Sequence, residues 1–364
     1  MSRKWKKTVT ALMVAAATAL LVACGGSDGD SSSAGDSLVI GGWGGTIDKA
    51  TQKHYIDKYI ADGGDVTKFS FVDAPSAQLA RVEAQAKAGK IEWDLIDSAP
   101  GPEAYLLNAK GLLAKLPSDL KQELVDELGE QRVTDFGFSH ANVGNVIVCN
   151  MDKMDSCPRN MKEFFDPKKF PQTRTIAGNN PLINATAAEL AAGVPRQDTA
   201  TTPVNLDQVF DQLDRIRDTV RVFHQSGDQQ MQVMRNGEAD MGILWSGRAY
   251  SLLDEGMNLE IVWNDAIYEP SFWTVVKDAP NEEGAFDFLR WLAKQPEAQA
   301  GWAEELNYSV PHPKAFDFLS EKDAKRQADY PANFEVMAIP NWDWYAQPEN
   351  KSELDSRFQS YLRG

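Results

Sequence analysis

The chain has 364 residues and is acidic, with 53 Asp and Glu residues against 37 Lys and Arg residues and a formal net charge of −16. This balance disfavours nucleic acid and anionic lipid surfaces as partners, and its long-range field favours small cationic solutes over anionic ones. Because 43% of the residues are apolar and 10 are Trp, the chain is large and apolar enough to form two domains.

The N-terminus has the pattern of an export signal. Basic residues within positions 1–7 precede an apolar stretch, from about 9 to 22, that is too short to span a bilayer comfortably. Leu21-Val22-Ala23-Cys24 follows and resembles the lipobox of bacterial lipoproteins, whose cysteine is diacylated and becomes the mature N-terminus. The sequence therefore predicts a signal peptide over residues 1–23 and lipidation of Cys24. An ordinary cleavage site beside a lone cysteine is the alternative.

Residues 24–37 are Gly, Ser, Asp and Ala after the cysteine, and no side chain among them supports a packed core. This composition predicts a flexible tether that lets a folded body stand away from a membrane. We therefore expect an exported protein, anchored by lipid to the outer face of the cell membrane or facing the periplasm.

Two further cysteines, Cys149 and Cys157, are close together in the sequence. In a chain that leaves the reducing cytosol, a local disulfide between them is expected to contribute about 2 to 3 kcal/mol. Two unpaired thiols are the alternative.

Strand and helix patterns alternate along the rest of the chain. The first series predicts a strand over 37–42, a helix to about 61 with Thr46 as its N-cap, a helix over 76–89 and a strand over 91–96. The second predicts strands over 143–149, 240–245 and 258–263, helices over 206–219 and 229–236, and one or two helices over 282–304. This order is typical of an α/β domain with a largely parallel sheet.

Five segments resemble the spermidine/putrescine-binding proteins of bacterial ABC importers. The most specific is Gly237–Arg248, and the others are Leu38–Gly45, Trp93–Asp97, Phe272–Ala285 and Asn307–Pro311. The resemblance implies a two-lobe periplasmic-binding-protein fold of type II, with ligand in the cleft between the lobes. Lobe 1 would comprise residues 38–142 plus 270–325, and lobe 2 residues 143–269 plus 326–364. Closure of the lobes about a hinge is then the functional motion, since the closed form is what a membrane permease would recognise.

The resemblance also implies a set of cleft residues. Trp43 and Trp245 match aromatic positions, Tyr308 matches a pocket tyrosine, Ser98 and Ala99 match a strand-end loop, and Asp343 lies near a C-terminal contact position. Aromatic faces suit the methylene chain of a polyamine and attract each ammonium group by about 0.5 to 2 kcal/mol. The alternatives are a packed Trp in a surface turn for Trp43, a core Trp for Trp245 and a packed C-terminal segment around Asp343.

Two departures from the family concern ligand charge. Ser271 stands where the family has an Asp, which leaves Glu269 as the nearest carboxylate. Asn179 and Asn180 stand where the family has an acidic pair. Because amides suit a neutral or zwitterionic ligand better than a dication, the sequence predicts the family more firmly than it predicts the ligand.

No catalytic motif competes with this interpretation. The four His residues are scattered, no metal-ligand or phosphate-binding motif is present, and Ser246 lacks the first Gly of a nucleophile elbow. We therefore expect no enzyme activity, cofactor or metal, and the capture of a small amine-bearing solute for ABC permease subunits. The alternatives are a secreted lipoprotein hydrolase and a binder of a zwitterionic amino compound that serves transport or sensing.

Overall fold

The computed structural model describes residues 37–66, 68–70 and 75–364, over which eight strands form one mixed sheet. The predicted signal peptide over residues 1–23, the lipidation site Cys24 and all of the tether except Ser37 lie outside the described residues. The strands are β1 (Val39–Gly41), β2 (Lys68–Ser70), β3 (Leu95–Pro100), β4 (Gly137–Asn150), β5 (Arg174–Ala177), β6 (Val220–His224), β7 (Met241–Trp245) and β8 (Leu259–Val275).

The strand order is β2-β1-β3-β8-β4-β7-β5-β6. The strands β2, β1 and β3 are parallel to one another, and so are β7, β5 and β6. Between these two parallel groups, β8 and β4 run antiparallel to their neighbours and to each other. The sheet therefore consists of two parallel halves joined by one long antiparallel pair.

Helices follow most of the strands, as the sequence order predicts. The described α-helices are α1 (Gly45–Thr51), α2 (Asp57–Ala61), α3 (Pro75–Ala88), α4 (Gly101–Ala109), α5 (Ser118–Leu128), α6 (Met161–Phe164), α7 (Pro181–Ala192), α8 (Leu206–Ile216), α9 (Gly227–Arg235), α10 (Ser246–Asp254), α11 (Glu282–Ala293), α12 (Pro296–Leu306), α13 (Glu321–Ala324), α14 (Pro331–Phe334), α15 (Trp342–Ala346) and α16 (Pro348–Arg363). A π-helical segment, Gln52–Ile56, joins α1 to α2. No helix in the described part of the chain has the length and apolar character that a membrane span requires.

The strands β4 and β8 are 14 and 17 residues long and pair at both ends, with residues 263–266 of β8 left without a partner in β4. Their register shifts between His140 and Val143, where β4 carries a bulge. Within this bulge Ala141 has a φ of 56°, a left-handed conformation that is uncommon for a residue with a Cβ. A bulge bends a strand and re-aims its side chains, so this irregularity lies where the two halves of the sheet meet.

Buried apolar side chains form four clusters. Two of them draw their buried members from residues 38–138 and 272–315. The other two draw theirs from residues 146–268 and 328–361. Each half of the sheet therefore has its own cores, although the predicted lobe boundaries themselves stay a prediction.

Several predicted elements are confirmed and others need correction. The α/β class is confirmed, and the segment 282–304 forms two helices, α11 and α12. Cys149 and Cys157 form a disulfide with a Cα–Cα distance of 5.7 Å, so the unpaired alternative is wrong. The predicted N-cap was wrong, because α1 begins at Gly45 and Gly44 occupies the N-cap position.

The predicted strands 143–149 and 258–263 were too short. Polar residues such as His140 and Glu269 interrupt the apolar alternation along β4 and β8, although the backbone pairing of the two strands includes both of them. The strand predicted over 91–96 is observed as Leu95–Pro100, so the polar residues after its apolar core belong to the strand.

Candidate functional site

A cavity of about 750 Å³ lies where the strands of the two sheet halves end. Its walls include a residue just after β1 and residues at the carboxyl ends of β3, β6 and β7. The cavity also reaches the bulge in β4 and the middle of β8. The carboxyl ends of parallel strands are where open α/β sheets bind ligands. The cavity is within the volume range of small-molecule sites.

Eight of the ten predicted ligand residues line this cavity: Trp43, Ser98, Asn179, Asn180, Trp245, Glu269, Ser271 and Tyr308. Ala99 does not line it, because its side chain points to the opposite side of β3 and packs in an apolar cluster with Phe272. Asp343 is an exposed residue of α15 and does not line it either. Ligand contact by the eight residues stays a prediction.

Glu269 is the most elaborately held side chain of the cavity. Its carboxylate accepts hydrogen bonds from Asn145 Nδ2 at 2.9 Å, from Trp245 Nε1 at 3.1 Å and from Asn180 Nδ2 at 2.8 Å. All three donors are neutral, and none of the described residues forms an ion pair with this carboxylate. Burial raises the pKa of Glu269, and the three hydrogen bonds oppose that rise.

Two Trp residues are held at fixed orientations in the cavity wall. The Trp43 indole donates to the backbone oxygen of Ser98 at 2.8 Å. Trp245 receives its orientation at both ends, since its backbone N–H donates to Gln230 at 3.0 Å and its indole donates to Glu269. Hydrogen-bonded indole edges leave the ring faces free to contact an apolar chain or an ammonium group.

Sequence reasoning missed the charged residues that helices bring to the cavity. Glu103 belongs to the first turn of α4, and Lys351 and Asp355 are four residues apart on α16, where they form an ion pair. Burial raises the pKa of Glu103, and the negative charge of Glu269 adds to this rise. With Glu269 included, the cavity carries three carboxyl groups and one Lys, so it favours cations over anions. No local motif marked these residues, because only the tertiary fold brings α4 and α16 together.

Helix N-termini also meet the cavity. The N-cap residues of α4, α7, α9 and α10 are Pro100, Asn180, Ser226 and Trp245, and all four line it. Each helix N-terminus carries a partial positive charge and free N–H groups. The same cavity therefore offers carboxylates for an amine and helix dipoles for an anionic group. In the described residues no three His, Cys, Asp or Glu side chains gather as a metal site.

The fold and the sequence together define the class of this protein. Residues 54–333 match the family of bacterial extracellular solute-binding proteins, and the chain belongs to that family. This match and the relatives below confirm the predicted resemblance and the periplasmic-binding-protein-like fold.

Three similar proteins illustrate the range of this likeness. A gamma-aminobutyric acid-binding protein of Pseudomonas aeruginosa is 25% identical over 333 residues, which cover 89% of this chain and 90% of the relative. The spermidine/putrescine-binding periplasmic protein of Escherichia coli is 25% identical over 165 residues, covering 45% of this chain and 46% of the relative. The match to the crystal structure of an ABC transporter substrate-binding protein from Bradyrhizobium japonicum has 26% sequence identity and a TM-score of 0.75. This match covers 90% of this chain and 99% of the Bradyrhizobium japonicum chain.

Proposed function

We propose that this protein captures a small amine-bearing solute, such as putrescine or spermidine, and delivers it to the permease subunits of an ABC importer. The observation that carries this proposal is Glu269, which lies in the 750 Å³ cavity. The three side chains that donate hydrogen bonds to its carboxylate are all neutral. A partly buried carboxylate without a cationic partner is costly to ionise, and a ligand ammonium supplies the missing charge.

The aromatic walls support the same proposal. The faces of Trp43 and Trp245 cover the methylene chain of an amine, while Glu269 meets its charged end. Closure of the two predicted lobes, 38–142 plus 270–325 and 143–269 plus 326–364, brings the walls together, and the long β4–β8 pair is the connection about which they move.

A zwitterionic amino compound is the second candidate ligand. The Pseudomonas aeruginosa relative, which binds gamma-aminobutyric acid, matches 89% of this chain, whereas the polyamine-binding relative matches 45%. The four helix N-termini at the cavity supply partial positive charge for a carboxylate at the other end of such a ligand. Asn179 and Asn180 are then the neutral hydrogen-bonding partners that this ligand uses.

Titration calorimetry with putrescine, spermidine, 4-aminobutyrate and a neutral and an anionic solute tests the proposal. We expect stoichiometric heat without product for at least one amine. Glu269→Gln should weaken that binding about a hundredfold, or ~3 kcal/mol, because the ligand ammonium loses its charged partner.

Asp343→Asn is the matched control, since Asp343 is an exposed carboxylate outside the cavity lining. Its affinity should equal that of the unmodified protein. Binding of only the neutral or anionic solute, or full affinity in Glu269→Gln, would contradict the proposal. A preference for 4-aminobutyrate over both polyamines would select the second candidate.

A further inference from the structure

Asp329 is a fully buried carboxylate behind the cavity, with 0% of its surface exposed. Its Oδ1 accepts hydrogen bonds from Arg132 Nε at 2.8 Å and from the Tyr268 hydroxyl at 3.0 Å. Its Oδ2 accepts from Asn142 Nδ2 at 2.8 Å, and its own backbone N–H donates to Ser309 Oγ at 2.8 Å. One side chain and its backbone therefore bind three regions that are far apart in the sequence, 132–142, Tyr268 and Ser309.

The partners of Asp329 have a shared property. Three of them are immediate chain neighbours of cavity-lining residues, although none lines the cavity itself. These neighbours are Ala141 and Val143 beside Asn142, Glu269 beside Tyr268, and Tyr308 beside Ser309.

The geometry of the strands explains this arrangement. Successive side chains of a strand point to opposite faces, so Tyr268 reaches Asp329 while Glu269 faces the cavity. Asn142 lies in the bulge of β4, and its backbone pairs with Ser309 through N–H to oxygen distances of 2.8 and 3.0 Å. A shift at Asp329 is therefore transmitted through one covalent neighbour to three walls of the cavity.

Arg132 supplies the opposite charge. Its guanidinium also lies 4.2 Å from the centroid of the Phe334 ring and donates to the backbone oxygen of Asp329 at 3.3 Å. A buried carboxylate that keeps a charged partner and further hydrogen bonds has one well-defined geometry, because any displacement leaves a buried polar group unpaired.

We propose that Asp329 is a positioning residue for ligand binding, which sets the places of Glu269, Tyr308 and the β4 bulge without touching the ligand. This inference rests on the proposed function, because it takes the cavity as the ligand site. It predicts that Asp329 affects all ligands alike, whereas Glu269 affects ligands according to their charge.

The test compares Asp329→Asn with Asp254→Asn. Asp254 is the control, an exposed carboxylate that also accepts two hydrogen bonds from an arginine, Arg326, lying over an aromatic ring, but that has no hydrogen bond to an immediate chain neighbour of a cavity-lining residue. Calorimetry on the folded proteins should show that Asp329→Asn binds putrescine, spermidine and 4-aminobutyrate about tenfold more weakly, because a charge-assisted hydrogen-bond network is lost. The rank order of the three affinities should stay the same.

Backbone hydrogen exchange supplies a readout that needs no ligand. The backbone N–H groups of Asn142 and Ser309 each donate to the carbonyl oxygen of the other residue. In Asp329→Asn these two N–H groups should exchange at least about tenfold faster, and in Asp254→Asn their exchange rates should not change. Unchanged exchange and affinity in a folded Asp329→Asn, even with a lowered melting temperature, would overturn the inference. If none of the three solutes binds the unmodified protein, the proposed function fails, whereas full affinity in a folded Asp329→Asn overturns this inference alone.

Tyr268→Phe covers the case in which Asp329→Asn does not fold, because it removes only the hydroxyl that donates to Asp329. We expect faster exchange and weaker ligand binding, each at about a third or more of its size in Asp329→Asn, since one of several hydrogen bonds is lost. No effect on either readout would overturn the inference.

Discussion

Trp245 contacts the cavity with its ring and the protein interior with its backbone. Its N–H bonds to Gln230 and its indole bonds to Glu269, while a Cβ added at Gly227 would lie 3.1 Å from the ring. This glycine therefore leaves room for the indole beside the start of α9. The ring is partly exposed in the cavity wall, so its main energetic role is expected to be with ligand.

Trp245→Ala should weaken ligand binding by about 1 to 3 kcal/mol and leave the fold intact, because the ring contributes contact area and an ammonium-attracting face. Calorimetry and thermal unfolding measured on the same sample check this. Trp245→Phe is the control, since it keeps an aromatic face while losing the indole N–H and one of the two fused rings, and it should retain most of the affinity. A collapse of the melting temperature with unchanged affinity would instead make Trp245 a core residue.

Glu189 is a buried carboxyl group of α7 that is remote from the cavity lining, with 2% of its surface exposed. Burial raises its pKa to about 7, above the ordinary 4.5. The folded state therefore keeps this proton at pH values where the unfolded state has lost it, so the stability contributed is complete below pH 4.5 and is lost as the pH rises through about 7.

Glu189→Gln should remove this pH dependence. The variant should match the unmodified protein near pH 4 and exceed it near pH 8 in free energy of unfolding by up to about 3 kcal/mol, because the neutral amide has no charge to bury. Urea unfolding at the two pH values checks the difference. Glu335→Gln, on an exposed glutamate, is the control and should leave the pH profile unchanged. An equal effect of Glu189→Gln at both pH values would contradict the prediction.

At the scale of elements, apolar alternation predicted the short buried strands well and the long ones poorly. The strand β7 was predicted within one residue because it is apolar throughout, whereas β4 and β8 extend through polar residues that face the cavity or the Asp329 network. A strand that carries polar residues for a functional site interrupts the apolar alternation by which a strand is predicted from sequence. The bulge in β4 has no sequence signal of its own, because Ala141 is an unusual residue for a positive φ.

The disulfide at the end of β4 allows a prediction at this scale. Cys149 is the penultimate residue of β4, and Cys157 is buried beside it in the same apolar cluster. The double variant Cys149→Ala, Cys157→Ala should lower the free energy of unfolding by about 2 to 3 kcal/mol, because the unfolded chain regains the freedom of the loop. Urea unfolding measures this loss.

A reductant supplies the control for the disulfide. It should lower the stability of the unmodified protein by a similar amount and leave the double variant unchanged. A stability loss in the variant that reductant does not reproduce would assign the effect to the missing side-chain volume rather than to the cross-link.

At the scale of the whole molecule, the family and the α/β fold could be predicted because short motifs carry them, the Gly237–Arg248 block above all. Eight cavity residues followed from the resemblance as a whole, including the positions where the chain departs from the family. Glu103, Lys351 and the Arg132–Asp329 pair did not, because they are brought to the cavity or to each other by elements that are distant in the chain, 197 residues apart for the Arg132–Asp329 pair. Periodicity and local motifs contain no information about such contacts, which only the packing of the sheet halves creates.

Placement of the protein in the cell depends on the N-terminal region, which lies outside the described residues. The prediction of a lipid anchor rests on the order of basic residues, apolar stretch and the Leu21–Cys24 box.

Cys24→Ser should abolish lipidation and release the protein in soluble form. A lipid chain contributes roughly 0.8 kcal/mol of membrane affinity per buried CH₂, and the variant carries no lipid chain. Fractionation of cells after a salt wash, with mass spectrometry of the N-terminus, measures both effects. Cys149→Ala is the control, since it removes a different cysteine and should leave the protein on the membrane. Retention of Cys24→Ser in the washed membrane fraction would contradict the anchor, because the residues that remain would then have to bind the membrane themselves.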